Sequence, residues 1–185
     1  MSGTCSILVT GAKLSGKTSF IRTLADGKFP RGIVQSRFNF KGETYFGDRK
    51  REFQFIDTTA SDEFFGSNQE LLYNNDIIMM LFSIDKKEEL MYIKNELMTQ
   101  LKTKITNNPA FFIVATKSDE TDRIPEEVIS KTFADDGVKF FEISSRFNEG
   151  VQELFNEALA IKFGAPVRVV QQKNERASSK TCKQQ

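Results

Sequence analysis

Eight residues near the start of the chain have the spacing of a phosphate-binding loop. Gly11-Ala12-Lys13-Leu14-Ser15-Gly16-Lys17-Thr18 fits G-x-x-x-x-G-K-[ST]. It follows a short apolar run and opens a helical stretch, the context in which the pattern has its meaning. The two glycines let the backbone curl with its N–H groups turned inward. Lys13, Leu14, Ser15, Gly16, Lys17, Thr18 and Ser19 are therefore expected to bind the phosphates of a nucleotide. Lys17 would reach the terminal phosphates as a point charge, and Thr18 would ligate magnesium. The first helix adds its partial positive charge from behind. The competing reading is a glycine-rich turn with a surface lysine.

Three further segments narrow the chemistry. Phe53-Gln54-Phe55-Ile56-Asp57 ends a strand in a carboxylate that could hold a magnesium-bound water; a turn-forming aspartate is the plainer reading. In Thr116-Lys117-Ser118-Asp119, the Asp119 carboxylate can accept from two adjacent N–H donors, which guanine offers at N1 and N2. Adenine has an acceptor at N1 and would be repelled. The Lys117 stem can lie against the base. Backbone N–H groups of Ser144, Ser145 and Arg146 could meet the guanine carbonyl oxygen.

These segments need a scaffold that brings them to one place. Residues 6–10, 76–84, 110–116 and 138–143 are apolar, strand-like runs, and 38–46 with 51–57 read as a hairpin around Gly47-Asp48. Helical patterns cover about 16–25, 87–104, 125–134 and 148–163. The first carries Phe20, Ile21 and Leu24 on one face, and the last Val151, Leu154, Phe155, Ala158 and Ile161. Alternation of strands and helices predicts an α/β fold: a six-stranded, mostly parallel sheet with one antiparallel edge strand and helices on both faces. Ligands of such sheets bind at the carboxyl ends of the strands, where all four segments fall.

Composition narrows the chemistry further. The chain has 185 residues, and 28% are charged, which suits one folded domain. It has no histidine, which removes histidine general-base chemistry and most zinc sites. A net charge of +1 gives no argument for nucleic-acid binding. Two cysteines make no disulfide framework, and no apolar run approaches the roughly 20 residues of a membrane span. Without a secretory pattern at the start, the expected compartment is the cytoplasm. The charge is uneven: residues 166–185 carry five basic residues against Glu175, a surplus of four, leaving −3 for the rest. We expect a domain over residues 1–165 and a flexible basic tail over 166–185.

With these motifs in order, the chain resembles a small GTPase of the Ras superfamily, a phosphate-loop NTPase, and is most similar to the Rab branch. The resemblance covers about residues 4–163 and rests on GAKLSGKT, FIDTTASDEF, LLYNNDIIMMLFSI, FIVATKSD and FFEISSRFNEGVQELF. It implies a GDP/GTP switch in membrane traffic, with magnesium as cofactor. It further implies effector and exchange-factor contacts through residues 30–40 and 58–72, a monomer, and a cytoplasmic or peripheral membrane location. By family spacing Phe29 would stack on the guanine, and Ser36 would stand where a threonine binds magnesium and the γ-phosphate. The alternative makes Phe29 a core aromatic and Ser36 a loop serine.

Departures from the family pattern concentrate on hydrolysis. Ala60 replaces a glycine whose N–H meets the γ-phosphate, and Ser61 replaces the glutamine that orients the attacking water. Lys13 replaces a small residue; it would obstruct an arginine finger or lend its own charge to the phosphates. Thr116 replaces an asparagine that ties the base site to the phosphate loop, so weaker guanine affinity is expected. Together they predict slow hydrolysis. The alternatives are a nucleotide-binding scaffold that neither hydrolyses nor switches, and a small phosphoryl-transfer kinase, for which no lid is recognisable. Cys182, fourth from the end, formally fits a prenylation motif, but Lys183 and Gln184 are polar where aliphatic residues are usual. It is either a lipidation site, with the basic tail as a second membrane signal, or an unmodified tail cysteine.

Overall fold

A computed structural model describes residues 3–32, 39–58, 72–105 and 107–165. Six strands form one sheet: β1 (Cys5–Gly11), β2 (Phe40–Phe46), β3 (Arg49–Asp57), β4 (Ile77–Ser83), β5 (Ala110–Thr116) and β6 (Lys139–Ile143). Their spatial order is β2-β3-β1-β4-β5-β6. All pairings are parallel except β2 with β3, which close a hairpin with Phe46 opposite Arg49 across Gly47-Asp48. The predicted α/β sheet with one antiparallel edge strand is the architecture observed.

The α-helices among the described residues are α1 (Lys17–Asp26), α2 (Lys87–Tyr92), α3 (Met98–Lys104), α4 (Glu126–Thr132) and α5 (Val151–Phe163). A π-helical turn, Ile93–Leu97, joins α2 to α3. The sequence reads 87–104 as one uninterrupted helix. Leu90, Ile93, Leu97 and Leu101 are all buried and keep the spacing of an ordinary helix face across the π turn, so the apolar pattern does not disclose it.

β1 and β4 are buried along their whole length because helices cover both faces of the sheet, which is why they read as unbroken apolar runs. On one face α1 and α5 pack Phe20, Ile21, Leu154 and Phe155 against Ile7, Val9, Phe53 and Phe55. Edge-to-face rings fasten this layer, with Phe53 and Phe155 at 4.7 Å and Phe20 and Phe55 at 5.8 Å. The other face buries Leu90, Leu97, Leu101 and Ile129 against Leu8, Ile78, Met80 and Ile113.

One core assignment needs correction. Ile161, expected inward, is 43% exposed, while Leu159 is buried at 1%. The two flank the α5 stripe on opposite sides, so helical periodicity ranks them equally; only the placement of the sheet decides between them. Leu159→Ala is expected to cost about 2–5 kcal/mol and Ile161→Ala only about 0.5 kcal/mol in urea denaturation. Equal losses would contradict this packing.

Because β1, β3, β4, β5 and β6 run parallel, Gly11, Asp57, Ser83, Thr116 and Ile143 finish at the same edge of the sheet. Among the described residues, that edge carries the phosphate loop, Asp57 and the segments after β5 and β6. Among the described residues, no helix is long and apolar enough to cross a membrane.

Candidate functional site

The loop between β1 and α1 has the curled backbone its sequence demands. Gly11 takes φ +132° and Gly16, which precedes α1, takes φ +87°. Between them Leu14 holds φ +63° with its side chain 82% exposed. A left-handed leucine costs about 1–2 kcal/mol, so this is a strained point in the loop. Lys13 and Leu14 both face solvent, whereas Ser15 is fully buried. The loop is pinned from below, where the Ala12 N–H donates to the Leu81 carbonyl at 3.2 Å.

Lys17 folds back over this loop. Its Nζ donates to the carbonyls of Ala12 at 2.6 Å and Gly11 at 3.1 Å. Burial pushes its pKa down to about 8, against the opposing pull of the Asp57 and Glu89 carboxylates. The Lys17 side chain is thus buried and held by the loop a phosphate chain would enter.

Thr18 and Asp57 meet across the start of α1 and the end of β3, with Thr18 Oγ1 donating to Asp57 Oδ2 at 2.6 Å. Asp57 is 4% exposed. Among the described residues no group of three or more acidic or cysteine side chains forms a metal cage. A hydroxyl beside one carboxylate is a set of hard oxygen donors. It fits magnesium, which keeps waters and takes phosphate oxygens instead of requiring an all-protein cage. Ser19 lies in the first turn of α1, half-buried.

The base-side residues come from the loops after β5 and β6. Lys117 takes φ +58°, and the Ser118 N–H donates to the Ile143 carbonyl at 3.1 Å, which fastens one loop to the other. Asp119 is held by a hydrogen bond from Ser144 Oγ to its Oδ1 at 2.7 Å, with Arg146 Nη1 3.8 Å from Oδ2. Ser144 therefore contributes differently from expectation: its N–H donates to the Glu149 carbonyl at 3.0 Å and is not available to a ligand. The backbone donors left from the predicted trio are those of Ser145 and Arg146. Phe29 is 44% exposed beyond α1, so it is not a core aromatic.

Thr116 also departs from expectation. Its Oγ1 lies 2.7 Å from the Ser15 carbonyl and 3.0 Å from the Phe82 carbonyl, positioned to donate to either. The tie between base side and phosphate loop is thus kept by a threonine. What the shorter side chain lacks is an amide with further donors for a ligand. The carbonyls of Leu81 and Phe82 near the end of β4 also belong to the site, and the sequence gives no sign of them because it does not mark which backbone carbonyls are used.

Ser36, Ala60 and Ser61 lie outside the described residues, as do Cys182 and most of the two expected partner-binding segments. The structure therefore brings together Lys13 to Ser19, Asp57, Thr116 to Asp119 and Ser144 to Arg146.

Comparison with known proteins gives concordant matches. A model of the Ras family matches residues 6–162. The Rho-related protein racM of Dictyostelium discoideum is 30% identical over 173 residues, covering 85% of this chain and 89% of that protein. The Ras-related protein Rab-3D of Mus musculus is 28% identical over 159 residues, covering 84% and 72%. The GTP-binding protein rho3 of Schizosaccharomyces pombe is 24% identical over 176 residues, covering 88% and 84%.

Proposed function

The chain belongs to the Ras family of small GTPases, and from that premise we propose that it is a guanine-nucleotide switch with slow intrinsic hydrolysis. The observation that carries the reading is the bond between the two halves of the site. Thr116 Oγ1, beside the Asp119 motif, reaches the Ser15 carbonyl in the phosphate loop at 2.7 Å, so one ligand would span both. In this reading the loop N–H groups and Lys17 bind the phosphates, while Asp119 accepts from guanine N1 and N2. Phe29, Lys117 and Arg146 flank the base. Thr18, Ser36 and, through water, Asp57 hold magnesium. When bound, magnesium supplies charge neutralisation at the phosphate oxygens. Chromatography of the nucleotide released on denaturation tests the core claim: GDP or GTP supports it, and an adenine nucleotide overturns it.

Slow hydrolysis follows from Ser61, too short to orient a water as a glutamine does, and from Lys13, exposed beside the loop. In single-turnover assays Ser61→Gln is expected to raise the rate at least about tenfold, the scale of a positioning effect. An unchanged rate would move the cause to Ala60 or the first switch. Ala60 and Ser61 also favour a second reading, a nucleotide-bound scaffold that does not switch. Hydrogen exchange over residues 30–40 and 58–72 separates the two: equal protection with GDP and a GTP analogue supports the scaffold.

We assign the chain to the Rab branch and to membrane traffic on the strength of LLYNNDII and the Rab-3D relative. The 30% identity to a Rho-related protein motivates a second reading, a Rho-type role. Activation by Rab-type but not Rho-type exchange factors is the expected outcome of a panel assay. In the same reading, residues 1–165 form the nucleotide-binding domain, effectors bind a cytoplasmic monomer, and the basic tail with a lipidated Cys182 gives peripheral membrane attachment. An unmodified C-terminal peptide in mass spectrometry of native protein removes the lipid.

A further inference from the structure

The end of β4 carries more of the site than any motif suggests. Leu81 takes the Ala12 N–H on its carbonyl at 3.2 Å, and Phe82 offers its carbonyl to Thr116 Oγ1 at 3.0 Å. One residue beyond Ser83, the Ile84 N–H donates to the Thr116 carbonyl at 3.0 Å. Phosphate loop and base loop therefore both hang on the four residues Leu81 to Ile84. Within that strut the Ser83 N–H turns the other way, toward the helix layer. Ser83 is fully buried, and its N–H donates to Glu89 Oε2 at 2.8 Å. Glu89 lies on α2, belongs to none of the motifs, and is half-buried.

We propose that Glu89 is a positioning residue for the bound nucleotide: its carboxylate fixes the end of β4 through the Ser83 N–H, and so fixes Thr116 and Ala12. This rests on the guanine-nucleotide reading above. A half-buried carboxylate is a costly group, and burial raises its pKa. Its use here has a geometric reason. Ser83 is fully buried, and a buried donor without an acceptor costs more than an ordinary hydrogen bond returns. Removing the acceptor would free the strut to shift, and the two loops would lose their common reference.

The negative charge of Glu89 also acts on Lys17 and Lys117, so hydrogen bonding must be separated from charge. Glu89→Gln keeps an acceptor oxygen of the same reach and removes the charge; Glu89→Ala removes both. The readout is release of a fluorescent GDP analogue from the full chain with magnesium, measured first on the unsubstituted protein. Failure of that protein to bind GDP would overturn the guanine reading itself. With binding established, Glu89→Ala is expected to release GDP about tenfold faster, the scale of leaving a buried donor without an acceptor. Glu89→Gln should stay within about twofold of the unsubstituted rate, the rescue expected when a charge-free acceptor suffices. Equal acceleration in both variants would assign the effect to charge and overturn the proposal, as would no change in Glu89→Ala. If Glu89→Ala does not fold, Glu89→Asp takes its place: one methylene shorter, it keeps the charge and withdraws the oxygen from Ser83. Fast release in Glu89→Asp with slow release in Glu89→Gln supports the same conclusion, and the opposite order refutes it.

Discussion

Asp119→Ala is expected to weaken GDP binding at least about a hundredfold. The carboxylate would accept from guanine N1–H and N2–H, and hydrogen bonds to a charged acceptor contribute about 1.5–3 kcal/mol each. Two of them correspond to at least two decades in affinity. The geometry supports a large effect because the acceptor is held in place beforehand. Ser144 Oγ fixes Oδ1 at 2.7 Å, and the Ser118 N–H ties the loop to Ile143. Inosine diphosphate, which lacks the N2 amino group, supplies the internal control. The unsubstituted protein should prefer GDP to it by about tenfold or more, the share of one such bond, and Asp119→Ala should show almost no preference. Titration calorimetry with both nucleotides measures this. A variant that keeps the preference would mean that Asp119 does not read the base.

Gly11→Ala is the second large effect, and it falls on the fold first. A Cβ at Gly11 would stand 2.0 Å from the Leu81 carbonyl oxygen and 2.7 Å from the Leu81 nitrogen. Both are backbone atoms of β4, so neither can swing aside. The φ of +132° is also one that side chains with a Cβ rarely adopt. β1 would have to part from β4 at the Gly11–Leu81 pair, and the loop would lose its lower support. We expect a loss of at least about 3 kcal/mol, hence a Tm lower by about 10 °C, and nucleotide binding lost with it. Gly137→Ala separates clash from backbone strain. Gly137 has φ +64° with nothing within 4 Å of its Cβ position, so about 1 kcal/mol is expected there. Similar losses in the two variants would show that Gly11 is kept for conformation and not for contact.

The fold was legible because its signals are local. β4 and β5 announce themselves as apolar runs of strand length, and the Gly47-Asp48 turn fixes the hairpin register. The π-helical turn and the exchange of Ile161 for Leu159 were not legible, since both depend on where a neighbouring layer falls. The same division runs through the site. Lys17, Thr18, Asp57 and Asp119 could be named from spacing because each is a side chain at a strand end or helix start.

By itself, the sequence determined which chemical groups are present and in what order: a phosphate loop, an acid at the end of β3, an acid three residues beyond β5, and no histidine. It also located the departures, since an alanine or a serine at a motif position is visible without coordinates. Only the tertiary structure decided how those groups are held. It placed Thr116 on the Ser15 carbonyl, spent the Ser144 N–H on Glu149 and its hydroxyl on Asp119, and set Glu89 behind Ser83. The physical reason is that the identity of a donor or acceptor is a property of one residue. Whether its hydrogen bond goes to a neighbour or remains for a ligand is settled by distances between residues far apart in the chain.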